Sequence, residues 1–237
     1  HHRDLHLSLR RQRQMCIRDS RDTDDYKKKR ANEKLTSTYV IQYFSTRNRK
    51  NTMTTQIPRG PLQGVKVIDL TTVMLGPFCT QILGEMGADV IKIETPEGDV
   101  NRWTGAARSP GMSTGQLIKG RNKKSIIFNL KVPEARAPFE KLIETADVFV
   151  HNIRPKAAGR LRIDYDTIAK LRPDIIYASA TGFGEDGPYA DKPAYDDLIQ
   201  AASGIASLYG RVTGSPKYAP SVMADKTTGL FLSNYIV

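Results

Sequence analysis

The sequence predicts an α/β fold, in which helices flank a parallel β-sheet, and the alternation of two kinds of segment carries this prediction. Residues 64–70 (GVKVIDL) and 89–94 (DVIKIE) are short, apolar and rich in β-branched residues, as buried strands are. Residues 78–88 lie between them with helically spaced apolar residues, and Gly87 is a typical helix stop. A strand, a helix and a strand within about 30 residues form a βαβ unit, whose two strands run parallel.

The same alternation continues toward the C-terminus. Further strands are predicted at residues 124–130, 147–152 and 174–184. Further helices are predicted at residues 134–146, 164–172, 195–210 and 227–237. Repeated βαβ units predict a doubly wound sheet, whose ligand binds in the crevice outside the carboxyl ends of the strands.

Composition excludes several classes of protein. The chain has 237 residues, of which 39% are hydrophobic, so it can form a buried core. No apolar run approaches the roughly 18 residues that suggest a membrane span, so we expect no membrane partner. Cys16 and Cys79 form neither a metal-binding pattern nor a disulfide framework, which favours a reducing compartment. We expect a cytoplasmic protein, or a mitochondrial or peroxisomal one in a eukaryote.

The net charge of +11 is unevenly distributed along the chain. Residues 1–52 contain 14 Lys and Arg against 6 Asp and Glu, whereas the remaining residues contain 22 against 19. The body of the protein is therefore nearly balanced, and we expect no nucleic-acid partner. A basic tail that touches RNA or a membrane is the alternative for residues 1–52.

Residues 1–52 differ from the rest of the sequence in their pattern as well. They combine many charges with no sustained apolar period, and they lack the apolar core of a signal peptide. We expect a disordered leader or a stretch foreign to the native protein, with Met53 as the native start. At the other end, residues 227–237 stop inside a predicted helix without a cap, which indicates a truncated sequence.

The segment GFGEDG contains Gly182, Gly184 and Gly187 in the G-x-G-x-x-G spacing of dinucleotide sites. Pro188 and Pro193 follow, and a helix cannot cross them with its hydrogen bonds intact. The segment is therefore predicted to be a Gly/Pro loop and not a pyrophosphate-binding turn.

Two basic segments are candidates for binding an anionic ligand. Residues 119–125 (KGRNKKS) place four cations before a predicted strand, either as a solvated loop or as a phosphate contact. The segment HNIRPKAAGRL follows the carboxyl end of another strand, where Asn152, Arg154 and Arg160 could serve the same ligand. His151 is interpreted as structural, because no Ser or Cys nucleophile stands near it in the sequence.

Asp225 lies in SVMADKTTGLF, among small and apolar residues where a helix begins. One interpretation is an ordinary helix cap, since Asp is a preferred capping residue. The other is a nucleophilic carboxylate, whose negative charge the helix N-terminus would favour.

Several of these segments, in this order, resemble the family III CoA-transferases, which include formyl-CoA, carnitine and bile-acid CoA-transferases and α-methylacyl-CoA racemase. The resemblance runs from about Pro61 to Val237. The segments that carry it are PLQGVKVIDLTTVMLGPFCTQILGEMGADVIKIETPEGD, RNKKSIIFNLK, DVFVHNIRP, GFGEDGPYADKPAYDDLIQAASG and VMADKTTGLF. Family members have about 400 residues, so the resemblance implies that residues 53–237 are their CoA-binding Rossmann-like domain, truncated before a smaller second domain.

The resemblance also implies a function and a site. It implies an interlocked homodimer that takes acyl-CoA and a carboxylic acid as substrates, with no tightly bound cofactor and no metal. The family's nucleophilic Asp matches Asp225. The residues that its ligand-contacting loops imply are Val73, Met74, Arg121, Asn122, Lys123, Asn152, Ile153, Arg154, Arg160 and Tyr195.

Two positions bear on which family activity is expected. The racemase has a His in the block matched by KPAYDD, where this chain has Tyr195, a poor base at neutral pH. CoA transfer is therefore favoured, and the alternatives are a racemase-like enzyme or a CoA-binding fragment without turnover. The formyl and oxalate enzymes have a Gln where this chain has Met74, which argues against such small acids and for a larger or partly apolar acid.

Overall fold

The computed structural model describes residues 60–184 and 186–237. The predicted leader, residues 1–52, lies outside the described residues. The sheet contains five parallel strands: β1 (Lys66–Leu70), β2 (Asp89–Glu94), β3 (Lys123–Ile127), β4 (Val148–His151) and β5 (Ile176–Ser179). Their order across the sheet is β3-β2-β1-β4-β5, so the order reverses between β1 and β4. This reversal is the switch point at which doubly wound sheets bind their ligands.

The strands are connected and followed by eight α-helices within the described residues. They are α1 (Leu75–Glu85), α2 (Thr114–Lys119), α3 (Arg136–Ile143), α4 (Pro155–Leu161), α5 (Tyr165–Leu171), α6 (Asp196–Ala202), α7 (Ile205–Thr213) and α8 (Met223–Ile236). Short 3-10 turns lie at Val100–Arg102 and Pro133–Ala135. None of the described helices is long and apolar enough to cross a bilayer.

Both faces of the sheet are covered, because alternate side chains of each strand point to opposite faces. Ile68 of β1 and Phe149 of β4 are paired in register and pack with Phe139 and Ile143 of α3 on one face. The opposite face is built around α1 and closed by α8. Its members are Val67, Cys79, Leu83, Val90, Val148 and Val150, with Leu232 and Ile236 packed against them.

The structure corrects several predicted elements. The single helix expected at 195–210 is α6 and α7, because Gly204 adopts a φ of 84° and interrupts the helical backbone. The helix expected at 227–237 begins four residues earlier, at Met223, so Asp225 lies inside its first turn. The strand expected at 174–184 is only β5, and the Gly/Pro-rich segment after it contains no helix in its described residues until Asp196. Helices α2 and α4 were not predicted.

Candidate functional site

The loops after β1 and β4 are tied together at the switch point. The Asn152 side chain donates from Nδ2 to the Thr72 carbonyl at 2.8 Å and accepts the Thr72 amide at Oδ1 at 3.0 Å. One amide side chain thus satisfies both backbone groups of a residue that follows the neighbouring strand. These two hydrogen bonds hold the loop after β4 against the loop after β1.

A buried ion pair supports the loop after β1. Asp69 accepts hydrogen bonds from the Thr71 amide at 2.9 Å, the Thr80 hydroxyl at 2.7 Å and the Lys123 ammonium at 3.0 Å. Burial raises the pKa of Asp69, but the charges of Lys123 and Lys92 and these hydrogen bonds outweigh it and hold the pKa well below its usual value. The pair therefore stays ionised, as a buried pair with satisfied partners can.

A second buried pair holds the next residues of the same loop. Lys92 donates to the Thr71 carbonyl at 2.6 Å and lies 2.8 Å from Asp99. The Val73 amide donates to Asp99 at 3.4 Å, and the Asn101 side chain donates to the Val73 carbonyl. Val73 has a φ of 69°, which is unfavourable for a β-branched residue. Such a backbone persists only where its neighbours fix it, and here polar side chains do so.

Asp225 lies one helical turn before Gly229, the residue at which α8 meets the start of α1. It is the third residue of α8, whose N-cap position is Val222, so Asp225 is not the N-cap residue. Four residues on, Gly229 meets α1 so closely that an added methyl group would lie 2.6 Å from the Leu75 carbonyl. Residues four apart share a helix face, which places Asp225 beside the loop that ends in Met74.

The Asp225 carboxyl is half-buried and has charged neighbours of both signs. Burial raises its pKa, the nearby Asp196 carboxylate raises it further, and the Lys119 ammonium lowers it. The net shift is upward, because burial and the Asp196 charge together outweigh the Lys119 charge. The Asp225 amide donates to Asp196 Oδ1 at 2.9 Å, which joins α8 to the first turn of α6.

Residues that sequence reasoning missed hold this arrangement. The buried Gln200 donates to the Asp196 carboxylate one turn before it and to the Ser221 carbonyl at 3.2 Å, and it accepts the Ala219 amide at 2.8 Å. Gln200 therefore fixes the segment that leads into α8. The only available signal was the four-residue spacing of Asp196 and Gln200 within one short helix.

Four of the predicted ligand residues are brought together at the switch point. Val73 and Met74 follow β1, and Asn152 and Ile153 follow β4. Arg154 and Arg160 are exposed at the start and end of α4, beside this edge of the sheet. Arg154 donates to the Asp191 carbonyl at 3.0 Å, so it also orders the loop before α6.

The remaining basic residues lie elsewhere. Arg121 and Asn122 precede β3, at the amino edge of the sheet, and Arg121 pairs with Glu85 at the end of α1. Lys123 donates to Asp69, to the Thr80 hydroxyl at 2.7 Å and to the Pro77 carbonyl at 2.8 Å. Because all three donors of its ammonium are used, we leave Lys123 out of the proposed ligand contacts. The two basic segments thus lie at opposite edges of the sheet, and the common ligand expected for them stays a prediction.

His151 and Tyr195 have different surroundings. His151 is buried, its Nε2 lies 2.6 Å from the Tyr177 hydroxyl, and its Nδ1 accepts the Ile153 amide at 3.2 Å. Burial lowers the pKa of His151 to about 4, so the ring is neutral near pH 7. Tyr195 precedes α6 next to Asp196 and is 64% exposed, so its side chain is accessible.

The fold and site together define a class, the doubly wound α/β proteins with a half-buried carboxylate beside the ligand crevice. The family model for CoA-transferase family III matches residues 62–237, and the chain belongs to that family. The resemblance found from the sequence is thereby confirmed, as is the α/β class with a parallel sheet.

Curated relatives and solved structures agree with the family. The chain is 40% identical over 178 residues to succinate–glutarate CoA-transferase of Agrobacterium fabrum, which covers 72% of this chain and 44% of that protein. It is 42% identical over 180 residues to acetyl-CoA:oxalate CoA-transferase of Acetobacter aceti, covering 74% and 45%. A CaiB/BaiF family protein from Brucella suis superposes with a TM-score of 0.70 at 35% identity, covering 75% and 48%. The chain thus spans less than half the length of these relatives.

Proposed function

We propose that this chain supplies the nucleophile and part of the CoA site of a CoA-transferase that moves CoA from an acyl-CoA to a carboxylic acid. The observation that carries the proposal is the half-buried Asp225 carboxylate beside the switch-point loops, in a chain of this family. Since the chain spans less than half of its relatives, the complete site is expected to need the rest of the protein and a second subunit, as an interlocked homodimer.

The proposed chemistry uses Asp225 as a covalent nucleophile. Its carboxylate attacks the thioester carbonyl, the carbon–sulfur bond breaks, and the CoA thiolate leaves a mixed anhydride. The thiolate then attacks the Asp225 carbonyl, which releases the donor acid and forms an aspartyl-CoA thioester. The acceptor carboxylate attacks the carbonyl of this thioester, its carbon–sulfur bond breaks, and a second mixed anhydride forms between Asp225 and the acceptor acid. The released thiolate then attacks the acceptor carbonyl of this anhydride, which gives the new acyl-CoA and restores the Asp225 carboxylate.

Each supporting residue has a task that its geometry suits. The raised pKa of Asp225 makes its carboxylate a stronger nucleophile than an exposed one, provided that it is ionised at the working pH. Asn152 and the fixed Val73–Met74 backbone shape the crevice in which the acyl-thioester would lie. Arg154 and Arg160 are exposed cations for the CoA phosphates.

A dicarboxylic acid is the proposed acid substrate. The relatives at about 40% identity include enzymes named for succinate and glutarate and for succinyl-CoA and L-malate. Other relatives at similar identity are named for acetyl-CoA and oxalate and for formyl-CoA and oxalate, although Met74 offers no hydrogen bond to a small acid. We therefore favour the longer acids over oxalate.

The test is to trap the covalent intermediate on the full-length protein. Incubation with a panel of acyl-CoAs, followed by hydroxylamine and mass spectrometry, should give a mass change on the peptide that contains Asp225. Asp225→Ala should abolish the adduct and lower kcat by at least about 10³-fold, in the range seen when nucleophiles are removed. An unmodified Asp225 together with exchange of the substrate α-proton would contradict transfer and point to a racemase. CoA binding with neither signal would point to a binding function.

A further inference from the structure

The first turn of α8, which contains Asp225, is capped by a side chain from another helix. The N-cap residue of α8 is Val222, whose apolar side chain cannot accept a hydrogen bond. Helices usually satisfy one of their first free amides with a Ser, Thr, Asp or Asn side chain at the N-cap. Here the Asp225 amide, at the third helical position, donates to Asp196 Oδ1 at 2.9 Å instead. Because Asp196 belongs to α6, tertiary structure supplies the cap.

Gln200 holds this cap from one turn further along α6. Gln200 is only 1% exposed, and its Nε2 donates to Asp196 Oδ2, while Oδ1 of the same carboxylate accepts the Asp225 amide. The Gln200 Oε1 accepts the Ala219 amide at 2.8 Å, and Nε2 also donates to the Ser221 carbonyl at 3.2 Å. One buried amide group therefore binds both the capping carboxylate and the segment that leads into α8, residues 219–221.

The second turn of α8 is fixed independently, by its contact with α1. A methyl group added at Gly229 would lie 2.6 Å from the Leu75 carbonyl oxygen, so α8 cannot move closer to α1 there without a clash. The freedom that α8 retains is in its first turn, because helices fray at their ends. Asp225 lies in that turn, so the hydrogen bonds of Asp196 and Gln200 determine where its carboxylate is held.

We propose that Gln200 is a positioning residue, which holds the Asp225 carboxylate in place for attack on the thioester of bound acyl-CoA. The proposal rests on the proposed function of Asp225 and names the residue that fixes its geometry. Attack requires reacting atoms held about 3–3.5 Å apart, and a displacement of about 1 Å can cost roughly 10²-fold in rate. Gln200 takes no part in bond formation and acts through Asp196 and the backbone of residues 219–221.

The experiment compares two buried glutamines in the full-length protein. Gln200→Met keeps the side-chain volume and removes its hydrogen bonds, so kcat and the single-turnover rate of Asp225 adduct formation should fall about 10²-fold. The Kd of acyl-CoA, measured by calorimetry, should change by less than about twofold, because the CoA contacts remain. Gln81→Met is the matched control, since Gln81 is 4% exposed and donates within α1 to Glu85 at 3.0 Å, and it should leave kcat unchanged. An unchanged kcat in Gln200→Met, or a loss of acyl-CoA affinity that explains the whole effect, would overturn the proposal.

Combining two variants tests whether Gln200 acts through Asp196. Asp196→Ala removes the cap itself, and in that background Gln200→Met should lower kcat by less than about tenfold, because the carboxylate that Gln200 holds is gone. Losses that add fully in log kcat would show that Gln200 does not act through Asp196. Gln200→Asn keeps the amide group but is one methylene too short to bridge Asp196 and Ala219, and it replaces Gln200→Met in each comparison if urea titration shows that the methionine variant does not fold.

Amide hydrogen exchange tests the geometry without turnover. In Gln200→Met, the amides of residues 223–226 should exchange at least about tenfold faster than in the wild type, while those of β1 keep their rates. Unchanged exchange in the first turn of α8 would reject the role of Gln200. An absent Asp225 adduct with every acyl-CoA in the wild type would reject covalent transfer instead, whatever the exchange rates show.

Discussion

At the scale of single residues, the chemistry of the site depends on how neighbouring charges act on Asp225. Asp196 accepts the Asp225 amide and raises the pKa of the Asp225 carboxyl, while Lys119 lowers it. The position of Asp225 in a helix of this family could be read from the sequence. The two opposing neighbours could not be read from the sequence. Lys119 and Asp196 are 106 and 29 residues away from Asp225, and only the packing of the helices brings their charges near it.

The Asp196→Asn variant tests this balance in the full-length protein. The Asn side-chain oxygen can still accept the Asp225 amide, but the like charge is gone, so the pKa of Asp225 should fall. The acid limb of the pH profile of kcat/KM should therefore move to lower pH, and kcat at the plateau should fall modestly because a weaker base is a weaker nucleophile. Asp197→Asn, one residue on, is the matched control. An acid limb that stays in place would show that Asp225 does not control it.

At the scale of elements, the loop between β1 and α1 stores backbone strain that its neighbours offset. The βαβ alternation predicted the strands and α1, and the residues flanking this loop were predicted to bind ligand. The left-handed Val73 was not predictable, because nothing in TTVMLGP favours a positive φ. Asp99 and Asn101 hold it from a segment more than 25 residues away, so the conformation belongs to tertiary structure.

A double-mutant cycle measures how strongly Asn101 and Val73 are coupled in their effect on the free energy of unfolding. Asn101→Ala should lower the free energy of unfolding by about 1–2 kcal/mol, because it removes a buried hydrogen bond that holds a strained residue. Val73→Gly should change it by less than about 1 kcal/mol, since relief of strain offsets the greater freedom of unfolded glycine. In the Val73→Gly background Asn101→Ala should cost clearly less, as urea titrations would measure. Strict additivity would show that Asn101 does not offset the strain.

At the scale of the whole molecule, buried ionisable groups link the fold to pH. Burial raises the pKa of Glu94, but hydrogen bonds and charge from Arg102, with a hydrogen bond from Ser125, hold it at about 2. Burial lowers the pKa of His151 to about 4. In both cases the unfolded chain binds the proton more readily, so stability must fall as pH falls.

Urea titrations from pH 8 to pH 3 should show this loss in two overlapping steps. The His151 contribution, about 3 kcal/mol, is lost as the pH falls from about 6.5 through 4. A similar Glu94 contribution is lost from about 4.5 toward 2. His151→Gln should remove the first step and leave the second. Stability that is constant from pH 7 to pH 5 would contradict the buried neutral imidazole.

The buried thiol of Cys79 can be used to measure how often the fold opens locally. Burial and the Asp69 charge raise the pKa of Cys79 to about 12, with Lys123 acting in the opposite direction, so the folded protein offers almost no thiolate. In a full-length protein with every other cysteine replaced by Ser, Cys79 would be the single thiol. With a label that reacts faster than the fold recloses, its labelling rate should equal the rate at which α1 lifts from the sheet, and a bound acyl-CoA that orders the nearby loop should slow it. Ligand occupancy could thus be followed by the timing of one covalent label, without any turnover.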